Sequence, residues 1–452
     1  MKVLILGSSR VGFSLANELV DEGHDVTVVS EDKVSLKNMQ QLMDIRTISG
    51  RPSYPDVLRS ARADKMDIMI AVTDSDEVNM ISCQAGYSLF KIPLKIAKIR
   101  SQHYLTRNEL FGNENLPVDI FLSPEGLVAK NIFAVLNHHA ASGVFPFYEE
   151  KVSLVAIKIT DKSSIYHAYW GGFLDKINGV GVKPIAIIRD NKYLVLKRNI
   201  KLRQYDEILL FIEDHDIKKF FSLLDPVAAK KKVKKVIIAG GGGVGSNLAK
   251  MLMEMSCNVK IIEHNPSVCA NLSSQLSGVT ILEGDASERN LLFQENVEGV
   301  DVFCALTSDD EDNIISSLQA KYLGAKRVVS LVNNSEYMEI FSRSDVDVFV
   351  PPQQLSISQI LTDIRHECVQ QVYTLFRGLS EVVSIKVLPG KAGKVVGLPV
   401  CKINFPEGVI FVLAVRGGVI SYDEYQCIQE EDSLLFFIPN KKRFAELAEM
   451  FY

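Results

Sequence analysis

The sequence predicts an α/β protein: two tandem Rossmann-like, doubly wound parallel sheets, each followed by a small α+β regulatory domain. Three observations predict it. Four blocks recur in the same order about 230 residues apart, the mark of a tandem duplication. Within each copy, β-branched apolar runs alternate with segments of helical period. The second copy carries a Gly-x-Gly-x-x-Gly loop between a strand and a helix.

The repeat comes first. VLILGSSRVG at 3–12 faces VIIAGGGGVG at 236–245, and AVTDSDEVNM at 71–80 faces ALTSDDEDNI at 305–314. DIFLSPEGL at 119–127 faces DVFVPPQQL at 347–355, and DEILLFI at 206–212 faces DSLLFFI at 432–438. Four ordered matches exclude chance. They divide the chain into Rossmann-type domains over 1–125 and 233–355 and small α+β domains over 143–226 and 373–452. Between the copies, PVAAKKKVKK carries Lys230, Lys231, Lys232, Lys234 and Lys235, which read as a solvated linker rather than a patch for anionic lipid or nucleic acid.

The second copy shows the element order. VIIA is a strand covered on both faces. GGGGVGSNLAKMLMEM turns into a helix with Val244, Leu248, Met251, Leu252 and Met255 at helical spacing. NVKIIEH is a second strand, a helix runs through Val268, Leu272 and Leu276, and VTILEGDAS is a third strand ending in Gly284-Asp285. VDVFCALT, the helix DNIISSLQAKYLG, KRVVSLV and VDVFVPP complete a six-stranded unit, and the first copy repeats the order. Residues 360–374, ILTDIRHECVQQVYT, read as a helix that crosses to a partner or to the next domain. Short strands follow: VVSIKVLPG, GVIFVLAVRGG and SLLFFIP, closed by a helix RFAELAEMF. VSLVAIKI, IAIIRDNKYLVLK and DEILLFI are their first-copy equivalents.

Composition narrows the class. The chain is 47% hydrophobic and 23% charged with a net charge of −5, so nothing draws the whole chain to nucleic acid, and no nucleic-acid partner is expected. No uncharged apolar run reaches the roughly 20 residues of a membrane helix, and MKVLILG reads as a buried strand rather than a signal peptide. The cysteines at 83, 257, 269, 304, 368, 401 and 427 are scattered, which favours reduced structural thiols in the cytoplasm over zinc or disulfides.

The glycine loop carries the chemistry. Gly240 permits the tight turn, Gly242 lets the backbone approach a pyrophosphate, and Gly245 lets helix and strand pack closely, with Gly241, Gly243 and Val244 between them. Free N–H groups at the helix start face the phosphates. Glu263 ends the next strand, 23 residues after Gly240, where a carboxylate accepts from the ribose hydroxyls and repels a 2′-phosphate. That favours NAD(H) or an adenine nucleotide over NADP. Asp285 falls where an adenine edge would lie, and Thr307 and Ser308 sit beside the crevice. The alternative is a Rossmann shell that keeps its glycines for packing alone.

The first copy is altered. It reads Gly7, Ser8, Ser9, Arg10, Val11, Gly12, so Ser9 adds bulk where a pyrophosphate would press. Ser30 stands where the ribose carboxylate should be, and Glu31 beside it points to the other face. Ser9 and Arg10 could instead donate to phosphate, and Lys98 and Arg100 add positive charge. Arg51, Thr73 and Asp74 complete the candidate set. A phosphate-rich ligand such as ATP or ADP and an empty structural copy both stay open.

The groups of an enzyme are missing. A nicotinamide-dependent oxidoreductase, the alternative reading, needs a substrate pocket and a proton-transfer group. Each small domain is only about 80 residues long and offers no such constellation. No residue is assigned a catalytic or metal-binding role. His138-His139 reads as a structural pair and His264 as a rim residue. Asp309, Asp310, Glu311 and Asp312, like Asp74, Asp76 and Glu77, read as helix caps rather than a cation site. A scaffold binding no nucleotide is a third reading.

These motifs resemble the RCK (KTN) family, which gates potassium channels and transporters. The resemblance rests on the KVLILG…VG loop, AVTDSDEVNMISCQAGYSLF at 71–90, KIRS at 98–101, the GGGGVG loop with Glu263, GDAS at 284–287 and VPPQQLSISQIL at 350–361, and it covers essentially the whole chain. It implies a cytoplasmic ring of Rossmann domains, peripheral at the inner face of the cell membrane, beneath a potassium-translocating membrane subunit. It implies a homo-oligomer, a tetramer or a dimer of dimers, in which NAD(H), ATP or ADP in the crevices shifts ring shape without turnover. Thr73, Asp74, Lys98 and Arg100 match positions that line the family's crevice. The family pattern places the better fingerprint in the first copy, with an acidic residue at Ser30; here the second is the more complete.

Overall fold

The computed structural model describes residues 1–138, 140–161, 163–190, 192–194, 196–225, 232–365, 367–375 and 378–451. His139, Lys230 and Lys231 lie outside the described residues. The chain forms four sheets. In the first, the strands run in the order Arg46–Ser49, Asp25–Ser30, Lys2–Leu6, Ile68–Ala71, Leu94–Lys98, Ile120–Leu122, all parallel. The second copy repeats this with Thr280–Glu283, Asn258–Glu263, Lys235–Ala239, Val302–Ala305, Arg327–Leu331 and Val348–Val350. Strand order reverses beside Lys2–Leu6 and beside Lys235–Ala239. Those switch points open the crevices, and the glycine loops sit at them. The central strands are buried on both faces, which explains their unbroken β-branched runs.

Two antiparallel five-stranded sheets make up the small domains. The first orders Lys192–Leu194, Val182–Arg189, Glu207–Glu213, Val152–Lys158, Gly143–Phe147. The second orders Val369–Leu375, Ser380–Lys386, Ser433–Ile438, Ile410–Arg416, Val419–Ser421.

One expectation needs correction. Residues 360–374 are not one helix. A helix runs Pro352–Ile364, and Val369–Leu375 is an edge strand. Buried Val372 and Thr374 flank the more exposed Tyr373, a bulge between Val369 and Gln371 breaks the alternation before them, and pairing with Ser380–Lys386 overrides the helical reading. Short helices at Arg289–Gln294 and Ser335–Ile340 fall in segments to which no periodicity assigned an element.

The helices Pro124–Leu136 and Pro352–Ile364 decide how the units meet. Each leaves its own Rossmann sheet and packs on the other: Pro124–Leu136 against Gly243–Glu254, and Pro352–Ile364 against Arg10–Asp21. One core joins Val128, Ile132 and Phe220 to Val236, Leu248 and Val302. Another joins Val3, Leu15 and Ile70 to Ile360, Val383 and Phe436. Each small domain therefore rests on the other copy's Rossmann sheet. A third core, with Phe147, Leu154 and Phe211 against Val382, Leu413 and Phe437, packs the two small sheets together. Each fully buried large aliphatic or aromatic side chain contributes roughly 1.5–3 kcal/mol, so these exchanged contacts are a large part of stability. Among the described residues, no helix is long and apolar enough to cross a membrane.

Candidate functional site

The second copy's loop is shaped by sterics at three glycines. Gly240 has φ +102, and a Cβ there would lie 2.9 Å from the Leu306 carbonyl oxygen. A Cβ on Gly245 would lie 2.0 Å from the Gly240 carbonyl oxygen, so the helix reaches the strand only because Gly245 has none. At Gly242 a Cβ would meet nothing within 4 Å. Gly242 caps the helix Gly243–Glu254 and offers no side-chain acceptor to its first amides, and Glu125 of the other copy packs beside Gly243. Gly241 abuts Leu272, and Val244 packs on the core.

Glu263 is buried and braces this loop. Its Oε2 accepts from the Gly241 N–H at 2.9 Å, its Oε1 accepts from the Asn265 N–H at 2.9 Å, and the His264 ring lies 3.1 Å away. Glu263, expected from the sequence to face a ribose, is thus tied to the glycine loop. Asp285 is exposed beyond the third strand. The Ser287 N–H, 2.7 Å away, holds its carboxyl below the usual range. The Thr307 N–H and hydroxyl both donate to the Asn313 Oδ1, at 2.9 and 2.8 Å, while Ser308 is exposed.

The first crevice has a different chemistry. Ser8 corresponds to Gly241 and Ser30 to Glu263, and their hydroxyls meet at 2.8 Å in place of the amide–carboxylate link. The Ser9 hydroxyl donates to the Val72 carbonyl at 3.2 Å, toward the sheet and away from the phosphate side. Asp32 is spent on capping Lys33–Leu42, and Glu31 is exposed. Gly7 and Gly12 repeat the steric pattern, a Cβ on Gly12 lying 2.1 Å from the Gly7 carbonyl oxygen. Arg10 opens the helix in solvent and Val11 packs beside it. Lys98 is buried and reaches Asp74 Oδ1 at 3.2 Å, and Arg100 donates to the Asp74 carbonyl. Leu331 and Asn333 stand at the corresponding places in the second copy. Positive charge therefore marks the first crevice and a carboxylate marks the second. Arg51 follows the outermost strand, next to Gly50, whose N–H donates to the Ser30 carbonyl at 2.9 Å, and lies over the Tyr54 ring at 5.6 Å.

Two functional positions escape a reading of the sequence. Asn79 accepts from the Thr73 N–H and hydroxyl at 3.0 and 2.7 Å and donates to the Lys98 carbonyl at 2.9 Å, locking the crevice floor. Asn313 does the same with Thr307 and, at 3.0 Å, Leu331. The signal was present: both repeats of this block carry an asparagine at that place. The other is Glu125, at the start of Pro124–Leu136, whose Cγ would lie 2.8 Å from a Cβ on Gly243. Only the crossing of the helices brings it there.

The remaining candidates are structural in placement. Asp309 accepts from the Asp312 N–H and Ser75 from the Val78 N–H, capping their helices. Asp310 and Asp76 are buried and accept backbone N–H groups from Asn333 and Asn334 and from Arg100 and Ser101. His138 stacks on Phe221, ring centroids 5.3 Å apart, and His264 is exposed. Five cysteines are buried and Cys401 and Cys427 exposed, all as free thiols. Burial pushes the Cys83 and Cys304 thiols up to about 12.

A family model described as the TrkA-N domain matches residues 3–124 and 236–352. The chain is 37% identical over 463 residues to the Trk system potassium uptake protein TrkA of Halomonas elongata, covering 100% of this chain and 98% of that protein. It is 36% identical over 455 residues to the protein of the same name from Haemophilus influenzae, with the same coverage. Among solved structures it is similar to the GsuK RCK domain, with a TM-score of 0.63 at 15% identity over 99% of this chain and 94% of that one. It is also similar to the GsuK channel bound to NAD, with a TM-score of 0.62 at 15% identity over 100% of this chain and 78% of that one. At that identity the likeness shows a shared fold.

Proposed function

The chain belongs to the TrkA family of potassium uptake proteins, and from that premise we propose that it is the cytoplasmic regulatory subunit of a potassium uptake transporter, sensing nucleotides in two unlike crevices. NAD(H) is the ligand of the second, held by Gly240, Gly241, Gly242, Gly243, Val244, Gly245, Glu263, Asp285, Thr307 and Ser308. ATP or ADP is the ligand of the first, held by the loop from Gly7 to Gly12 with Ser30, Arg51, Thr73, Asp74, Lys98 and Arg100. The partner is a potassium-translocating subunit of the TrkH or TrkG kind at the inner face of the membrane. The assembly is a tetramer or a dimer of dimers of four-unit chains, with units over 1–125, 143–226, 233–355 and 373–452.

One observation carries the reading. A helix start without a side-chain cap has free space around Gly242, with a buried carboxylate one hydrogen bond from the same loop. That fits a dinucleotide: amides for the pyrophosphate, Glu263 for the ribose hydroxyls. In binding, Glu263 exchanges its hydrogen bond from Gly241 for ribose hydroxyls and releases the loop. Because the neighbouring helix Gly243–Glu254 packs on the crossing helix of the other copy, the loop is mechanically joined to the rest of the chain. Nucleotide acts by favouring one arrangement over another through differential affinity.

The test is calorimetric titration of NADH, NAD, ATP and ADP into the full chain and its Glu263→Ala variant. Loss of NADH binding with ATP binding kept is the expected result. Unchanged NADH binding in the variant would refute the second crevice as the NAD(H) site. No heat from any nucleotide would leave the chain as a scaffold.

A further inference from the structure

Away from both glycine loops, a cavity of about 840 Å³ opens where three parts of the chain meet. The first small sheet supplies Phe145 and Ile188, the second Rossmann unit supplies Met338 and Phe349, and the second small sheet supplies Thr374 and Leu375. The volume is that of a small-molecule site, for which about 300–1,000 Å³ is usual.

Most of the charge around it is already spent. Arg189 holds Asp206 with two hydrogen bonds, of 2.8 and 2.7 Å, and Arg343 holds Asp190. Lys158 Nζ donates to the Ser344 and Val346 carbonyls at 3.2 and 3.0 Å. Lys201 and Arg203 also line the cavity, and among the described residues their side chains have no hydrogen-bond or ion-pair partner. The unspent charge is positive. On the second small sheet, Thr374 also lines the cavity; it is 5% exposed, and its buried Oγ1 has no partner among the described residues. A buried hydroxyl without a partner costs roughly 1–3 kcal/mol. Aromatic rings line the cavity too. Tyr166 and His167 stack at 3.8 Å, and Tyr205 lies under the Lys158 ammonium at 5.5 Å. His167, Asp190 and Tyr205 hold left-handed backbone, with φ of 62, 51 and 67. Such conformations are costly and collect around ligand sites.

We propose that this cavity binds a planar organic anion of mononucleotide size. Its anionic group meets Lys201 and Arg203, its ring lies among the tyrosines, and a hydrogen-bonding atom reaches Thr374 Oγ1. Nothing in this depends on what the two crevices hold.

The probe is anilinonaphthalene sulfonate, a planar aromatic anion, titrated into the full chain by fluorescence. Phenylnaphthylamine, a neutral molecule of the same ring skeleton, is the control. Trp170, the chain's single tryptophan, opens a helix just after Tyr166 and His167, so energy transfer from it places the dye. Expected are one saturable site, transfer from Trp170, and sulfonate binding weakened about tenfold in a Lys201→Ala, Arg203→Ala variant with phenylnaphthylamine unaffected. Lys201 and Arg203 are exposed, and circular dichroism confirms that the variant folds. Absence of saturable sulfonate binding, equal binding by the variant, or equal loss of the neutral amine would each overturn the proposal.

Discussion

Glu125 of the first copy lies against Gly243 of the second, its Cγ 2.8 Å from where a Cβ would stand. One carboxyl oxygen is buried without a partner among the described residues. Burial pushes this carboxyl above the usual range, against the pull of Arg100 and Lys98 from the first crevice. When ionised it places negative charge beside the amides proposed to receive a pyrophosphate. Glu125→Gln is expected to tighten NADH binding about two- to fivefold at alkaline pH, the weight of one charge at a helix end. The gain fades as pH falls, because wild-type Glu125 takes up a proton and becomes neutral itself. Calorimetry along a series of falling pH measures both; equal affinities at the alkaline end count against the idea.

Glycines in the same loop separate packing from binding. Gly245→Ala and Gly12→Ala each drive a methyl group onto a carbonyl oxygen about 2 Å away, and each is expected to cost about 2 kcal/mol or more. Urea midpoints should fall with or without nucleotide. Gly242→Ala meets nothing; stability should hold while NADH affinity drops. If Gly242→Ala binds NADH as the wild type does, no phosphate passes close to that residue.

Arg365 ties the second small domain to the first Rossmann unit. It is buried, gives two 2.9 Å hydrogen bonds to Glu381 and one of 2.6 Å to Glu22, and lies over the Phe444 ring. Arg365→Ala leaves the buried Glu381 and the half-buried Glu22 without their cation and should destabilise by about 3–5 kcal/mol. Burial pushes the Glu22 carboxyl up, but Arg365 and His24 outweigh it and hold it at about 2. A depressed carboxylate stabilises above its unfolded value near 4.5 and loses that contribution as pH falls toward 2. Wild type and variant should therefore converge in acid, which urea midpoints from neutral pH to about pH 3 would reveal. A gap that stays constant in acid would mean the ion pair is not its source.

The first crevice can be rebuilt toward the second. Ser8→Gly with Ser30→Glu restores the amide–carboxylate brace seen between Gly241 and Glu263. NADH binding to a Glu263→Ala background should reappear in the first crevice. If no heat returns, the brace is insufficient and the sheet-turned hydroxyl of Ser9 is the next obstacle.

Strand and helix placement was legible wherever one period ruled a whole segment, as in VIIA or the helix through Leu248 and Leu252. It failed at 360–374, where a helical stretch gives way to a strand without a glycine or proline between them. The glycines and Glu263 were readable because their roles are local. Glu125 and Arg365 were not, because each meets a group of the other copy, Gly243 and Glu22, far away in the sequence. Charge in the first crevice was visible in Lys98 and Arg100, but not that Asp32 would be consumed by a helix cap.

The crossing of Pro124–Leu136 and Pro352–Ile364 has a consequence for inheritance. In a pair of identical single-copy chains, every substitution is made twice, and both crevices must stay alike. Here the partner is part of the same polypeptide, always present and always in equal number. A substitution at position 30 leaves position 263 untouched, so one crevice can drift toward a new effector while the other goes on reading the old one. The lopsided pair Ser30 and Glu263 is what such freedom leaves behind.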